Sequence, residues 1–200
     1  MSLTEPRIIL ETKRLRLRSW IDSDRDLFRE INADPKVMEF FPFRRSHEEA
    51  DELLTRVNSL IADQMLGFFA VELKETEEPM GFCGISPANM PGIFPEGTIE
   101  IGWRLATRYW GHGYITEAAE GLLDYGFRTI GLGWIVSFAV EENQRSTAVM
   151  QRIGMIRRPD LDFNHPRVPD THPHLQRHVS YAITKEQYLE RGRVPREVVT

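Results

Sequence analysis

Arg108-Tyr109-Trp110-Gly111-His112-Gly113-Tyr114 is the stretch whose residue types and spacing are best suited to chemistry, and that chemistry is anion binding. It reads Arg-x-x-Gly-x-Gly, follows an alternating segment at 98–105 and leads into a helical segment running to about Ile130. A strand that delivers a glycine-punctuated turn onto a helix N-terminus gathers free N–H groups and the positive end of the helix dipole. Gly111 and Gly113 take φ angles closed to other residues and let the backbone approach a phosphate closely. Neither of the two common glycine-rich loops is present: there is no Gly-Lys-Ser/Thr of a P-loop and no Gly-x-Gly-x-x-Gly of a dinucleotide turn.

The flanking elements must position that turn. Ile99, Ile101, Trp103 and Leu105 share one face of a period-2 strand, with Thr98, Glu100, Gly102 and Arg104 on the other. Ile115, Ala118, Ala119, Leu122, Leu123, Phe127 and Ile130 recur at helical spacing. A strand at 134–140 follows, so the two strands and their helix form a βαβ unit, which predicts a parallel, right-handed pair. Asn143-Gln144-Arg145-Ser146 then opens a short helix, capped by Ser or Asn at its start and by Gly154 at its end.

With these residues in hand, the chain resembles the GNAT N-acetyltransferases, which move an acetyl group from acetyl-CoA to an amine. Arg108-x-x-Gly111-x-Gly113 is similar to that family's pyrophosphate motif, and Asn143-x-x-Ser146 with Gly154-Met155 to its second CoA-side motif. Thr12-Lys13-Arg14-Leu15-Arg16-Leu17-Arg18, Asp34-Pro35-x-Val37-Met38 and Trp110-Gly111-x-Gly113-Tyr114-x-x-Glu117-Ala118 resemble the RimJ/RimL branch. That branch includes enzymes that acetylate N-termini of ribosomal proteins and relatives with small-molecule acceptors. The resemblance spans residues 8–184 as one domain, leaving 185–200 as a C-terminal helix and tail. It implies an α/β (α+β) single-domain GNAT fold, in which helices flank a mixed, mostly antiparallel sheet and the βαβ unit stands at the acetyl-CoA site. The implied cofactor contacts begin on the strand at Trp103, Arg104 and Leu105. They continue through Arg108, Trp110, Gly111, His112, Gly113 and Tyr114, and end at Asn143 and Ser146.

Acyl transfer needs a neutral amine. An α-amino group, with a pKa of about 7.7–8.0, is roughly one-tenth neutral at pH 7, whereas a lysine near 10.4 is neutral only about once in 2,500. A positioned base therefore helps. Glu100 is the first candidate, because it points away from the apolar face of the strand that ends at the glycine turn; a surface or ion-paired carboxylate is the other reading. Some family members place a glutamate base five residues before the motif asparagine, where this chain has Phe138. Many place a tyrosine acid seven residues after it, where this chain has Met150. The resemblance to the RimL-like enzymes makes Ser146 the group that serves the leaving thiolate, with a plain helix cap as the alternative role.

Bulk properties narrow the class further. Two hundred residues suit one domain, and 41% hydrophobic with 28% charged residues is an ordinary globular composition. The single cysteine, Cys83, sits in an apolar strand-like run and reads as a buried, inert thiol; with no leader or long apolar run visible, a reducing cytoplasmic setting is expected. A net charge of −5 argues against nucleic acid and is mildly compatible with a cationic acceptor. No membrane partner is expected, and a homodimer is left open. Four of six histidines lie at His165, His172, His174 and His178, loosely spaced and without cysteine, which favours a substrate-rim or exposed loop over a metal site. Non-catalytic acyl-CoA binding on the same fold is the alternative to catalysis, because the usual tyrosine and glutamate are missing.

For the remaining elements, residues 7–19 read as one first strand, on which Arg14, Arg16 and Arg18 would be solvated. Asp22 or Ser23 would cap a helix ending near Asp34-Pro35. Ser46-His47-Glu48-Glu49 is a capping box. Strands are expected from Gly67 to about Lys74, around 80–86, at 155–158 and at 178–183, and Thr184-x-x-Gln187 opens a terminal helix that stops at Gly192.

Overall fold

The computed structural model describes residues 5–191, so the expected helix stop at Gly192 lies outside the described residues. Nine strands among them form one mixed sheet. The chain begins with β1 (Ile8–Glu11) and β2 (Leu15–Arg18), a hairpin rather than the single strand expected at 7–19. Thr12 closes the turn, its N–H donating to the Leu15 carbonyl at 2.9 Å while its hydroxyl accepts from the Leu15 N–H at 3.1 Å. No glycine or proline marks this turn, so periodicity runs through it unbroken.

Helices α1 (Arg25–Ala33) and α2 (His47–Gln64) follow, then β3 (Gly67–Leu73), β4 (Glu78–Pro87) and β5 (Ile99–Leu105). The Ser46 capping box forms, with Ser46 Oγ accepting from the Glu49 N–H and Glu49 accepting from the Ser46 N–H. Neither Asp22 nor Ser23 caps α1. Asp24 occupies that position and spends its carboxylate on the Ile21 N–H and on Arg18 instead.

The expectation that Arg14, Arg16 and Arg18 are solvated fails for Arg18, while Arg14 and Arg16 stay part-exposed but ion-paired. Arg18 is only 2% exposed and bonds Asp24 through two nitrogens and Glu72 through Nε at 2.6 Å. Arg16 bridges Glu11 and Glu72, and Arg14 pairs with Glu117 at 2.6 Å. Their acidic partners lie up to about a hundred positions away in sequence, so only the fold introduces them.

Beyond β5 come α3 (Tyr114–Asp124), a π-helical turn at Tyr125–Ile130, β6 (Trp134–Val140), α4 (Gln144–Arg152), β7 (Ile156–Arg157), β8 (Phe163–Asn164), β9 (Arg177–Thr184) and α5 (Lys185–Arg191). The sheet order is β1-β2-β3-β4-β5-β6-β9-β7, with β8 also on β9. Among the described strands only β5 and β6 pair in parallel, joined by α3 as the βαβ pattern requires, and the other pairs are antiparallel. Thr184 and Gln187 exchange hydrogen bonds at the start of α5, as their spacing predicts.

The two faces of β5 meet different layers. Ile101 and its neighbour Ile85 face α3 and the π turn, where Ile85 and Ile135 close on Gly126. Arg104 faces α1, donating to Asn32 at 2.7 Å. Glu100, Gly102, Trp103 and Arg104 are only half-buried, so room for chemistry lies where the sheet opens and along the face toward α1 and α2.

Candidate active site

The sheet opens between β5 and β6. Their ladder is registered only at Glu100 opposite Val136, and the Ser137 hydroxyl donates to the Ile101 carbonyl at 2.8 Å just beyond it. From there the strands diverge, exposing the β6-side edge of Gly102–Leu105 to a continuous cleft of about 1000 Å³. The Trp110 indole closes one end by donating to the Leu105 carbonyl at 2.9 Å. Trp103, Arg104, Leu105, Trp110, Gly111, Gly113 and Tyr114 all line the cleft, as do Asn143, Ser146 and Glu100.

The glycine turn enters this wall as a helix start. Gly111 has φ 81° and Gly113, the N-cap of α3, has φ 76°, both in the left-handed region that disfavours side chains. The first-turn N–H groups of Tyr114, Ile115 and Thr116 have no intrahelical acceptor and belong to residues that line the cleft. Arg14 pins the turn from behind, donating to the His112 carbonyl at 3.1 Å and lying 4.6 Å from the Tyr114 ring centroid. Arg108 and His112 stand outside the cleft wall. Arg108 pairs with Glu30 across the surface, and the His112 ring stacks on Tyr114 at 5.5 Å. Arg145, which no sequence signal singled out, reaches the cleft beneath the Trp110 ring at 4.7 Å, and Arg152 joins it. A Gly113→Val variant should bind CoA about tenfold or more weakly, because a side chain would stand where an anion meets the helix start. Unchanged affinity in calorimetry, with the fold intact, would remove the turn from the site.

On α4 the choice of cap is Asn143, whose Oδ1 accepts from the Ser146 N–H at 3.1 Å. Ser146 is therefore at the third helical position, half-buried, with its hydroxyl not needed as a cap. Met150 is 1% exposed and lines the same cleft. Phe138 stacks on Phe94 and meets Phe163 edge-on at 5.3 Å, an aromatic cluster that places no base there.

Glu100 sits where the strands part. Burial pushes its carboxyl up to about 8, only partly offset by the Arg167 charge. The histidine-rich loop splits in two. His165 and His178 line the cleft, their rings 4.8 Å apart, while His172 and His174 lie outside it. Burial lowers both cleft histidines, His165 to about 4, so they are neutral at physiological pH. Cys83 is fully buried and its thiol is held strongly upward, as an inert core residue requires. Among the described residues no group of three or more His, Cys, Asp or Glu is arranged to hold a metal. None of the described helices is long and apolar enough to cross a membrane.

Comparison with known proteins matches this geometry. The sequence profile described as "Acetyltransferase (GNAT) domain" matches residues 14–156. The N-acetyltransferase p20 of Bacillus licheniformis, itself uncharacterized, is 30% identical over 156 residues, 74% of this chain and 85% of that protein. FsC-acetyl coenzyme A-N(2)-transacetylase of Aspergillus fumigatus is 28% identical over 186 residues, 90% and 77% of the two chains. The crystal structure of a GNAT-family acetyltransferase from Bacillus anthracis superposes with a TM-score of 0.71 at 27% identity, covering 88% of this chain and 98% of that one. A splayed parallel pair, a glycine turn at its mouth and a family profile across both place this chain in the GNAT acetyltransferase family.

Proposed function

We propose that the enzyme transfers the acetyl group of acetyl-CoA directly to a primary amine in a ternary complex, within the RimJ/RimL-like branch. The observation that carries this reading is Glu100, a half-buried carboxyl at the point where β5 and β6 part, in the same cleft as the glycine turn. The pantetheine arm of CoA carries amides, and the open edge of Gly102–Leu105 offers them strand-like partners. The pyrophosphate suits the N–H groups at the start of α3, and Arg145 and Arg152 supply positive charge nearby.

In this reaction the amine nitrogen attacks the thioester carbonyl, the N–C bond forms and the C–S bond breaks. One ammonium proton goes to ionised Glu100 and a second nitrogen proton ends on the leaving sulfur. A carboxyl near 8 matches an α-amino group of about 7.7–8.0 far better than a lysine near 10.4, so proton transfer is close to balanced for an N-terminal or similarly weak amine. Ser146 hydrogen-bonds the departing thiolate from the start of α4, aided by the helix dipole.

The test is thiol release from acetyl-CoA against a panel of amines. CoA binding without transfer to any member would overturn the proposal. Ser146→Ala separates roles within it. Because Asn143 is the cap, the variant should melt within about 0.5 kcal/mol of wild type, yet turn over more slowly with CoA affinity little changed. Normal turnover would remove Ser146 from the reaction.

A further inference from the structure

The acceptor side of the cleft is aromatic and carries two arginines that form no ion pair among the described residues. Phe28, Phe41, Phe43, Phe68 and Phe82 line it between α1, α2 and the Glu100 face of the sheet. Arg104 projects from that face, donates to Asn32 at 2.7 Å, and lies 4.5 Å from the Phe41 ring centroid and 5.3 Å from Phe82. Arg45 joins it from the chain entering α2; its N–H bonds the Asn32 carbonyl, so both arginines converge on one residue. The Arg45 guanidinium lies over Phe43, and its Nε is buried without a hydrogen-bond partner. Neither arginine makes an ion pair among the described residues. Glu49, the acid whose charge Arg45 feels, is committed to the Ser46 N–H. Burial and the Arg45 charge lower Arg104 to about 10, the direction expected for two cations held together without a counter-ion.

An unpaired, partly desolvated cation is costly, and an anionic ligand that completes the pair offsets that cost. An aromatic ring against the face of a guanidinium leaves its in-plane N–H donors free for an oxyanion. The strand supplies a ruler. Glu100 and Arg104 are four residues apart on one face, about 13 Å between Cα atoms at the usual rise. Arg104 is held over Phe82, its direct cross-strand neighbour, and so stays at its own level instead of leaning toward Glu100. Gly102 lies between them with the Phe68 ring against it, an apolar floor for the middle of the acceptor.

Resting on the acetyl-transfer reading above, we infer that the acceptor is an amine carrying an anionic group, a carboxylate, at its far end, received by Arg45 and Arg104 while the amine lies at Glu100. The overall charge of −5 is mildly compatible with a cationic acceptor, but the local charge of the acceptor limb favours the opposite sign. A single α-amino acid is too short to span the two ends, because its amine and carboxylate share one carbon. The shared chemistry is a distal carboxylate on an apolar spacer, whether in a free ω-amino acid or in an acidic side chain near a peptide N-terminus.

The experiment compares ε-aminocaproate with its amide and with hexamethylenediamine, and the peptide amide alanyl-glutamate with alanyl-glutamine, by thiol release. The carboxylate should exceed its amide by about 10- to 100-fold in kcat/KM, the range of a charge-assisted hydrogen bond to a buried group, and the diamine should be slowest. The arm with the larger advantage identifies the source. In Arg104→Met and Arg45→Met the ratio of carboxylate to amide should collapse toward one. Calorimetry with N-acetyl-ε-aminocaproate and its amide reads the same preference without turnover, so failure of catalysis and failure of anion recognition are separable. Equal binding of the two acetylated compounds, a diamine served as well as the carboxylate, or a preference that survives in both variants would overturn the inference.

Discussion

Glu100→Gln should lower kcat by about 10²- to 10⁴-fold near pH 7, the range a positioned general base supplies, while leaving the KM for acetyl-CoA within a few-fold. The amide keeps the shape of the carboxyl but cannot take the ammonium proton. Because the Glu100 carboxyl stands near 8, only about a tenth of it is ionised at pH 7, so wild-type rate should climb as pH rises through 8. The variant should lack that limb, and the gap should narrow at high pH, where the amine deprotonates unaided. Stability carries the opposite sign. A carboxyl raised above its unfolded value of about 4.5 favours the folded state fully only below that value, and the contribution is lost as pH rises through about 8. Glu100→Gln should therefore gain melting temperature relative to wild type between pH 5 and 9. Wild-type turnover across the whole pH range would remove Glu100 from the reaction, and a constant stability difference would show that its carboxyl is not raised.

Asp24→Ala should be the most damaging change away from the cleft. Asp24 is 1% exposed and satisfies two nitrogens of Arg18 and the Ile21 N–H. Its removal leaves a buried guanidinium with Glu72 as its remaining carboxylate. Deleting one partner of a buried pair costs about 3–5 kcal/mol, which for a chain of this size corresponds to a melting-point loss of roughly 6–20 °C. The cluster ties β2 and β3 to the turn that launches α1, the helix whose Asn32 holds Arg104. Urea unfolding should show a lower midpoint with an unchanged slope, and Asp24→Asn, which keeps the shape, should fall between the two. A midpoint equal to wild type would reduce the cluster to a spectator.

The sequence by itself determined the βαβ unit, the glycine turn and the capped helix α4. Each of these is local: period-2 alternation at 98–105, helical spacing at 115–130, and capping residues at Ser46 and Asn143 write their signal within a few positions. Glu100 was legible too, because strand alternation alone puts it opposite Ile99 and Ile101. The hairpin turn at Thr12 was not, since it has neither glycine nor proline and is closed by one hydroxyl. Nor was the fate of Arg14, Arg16 and Arg18, whose strand pattern is that of a solvated edge. Only the tertiary structure decided that Glu72, Asp24 and Glu117 meet them, that Arg108 turns away to Glu30, and that Arg145 reaches the cleft. It alone brought Arg45 and Arg104 together at Asn32 beneath a row of phenylalanines. The physical reason is range. Hydrogen-bonded periodicity and caps act between neighbours in sequence, whereas charge pairing, desolvation and the widening of a sheet depend on which distant segments the folded chain lays side by side.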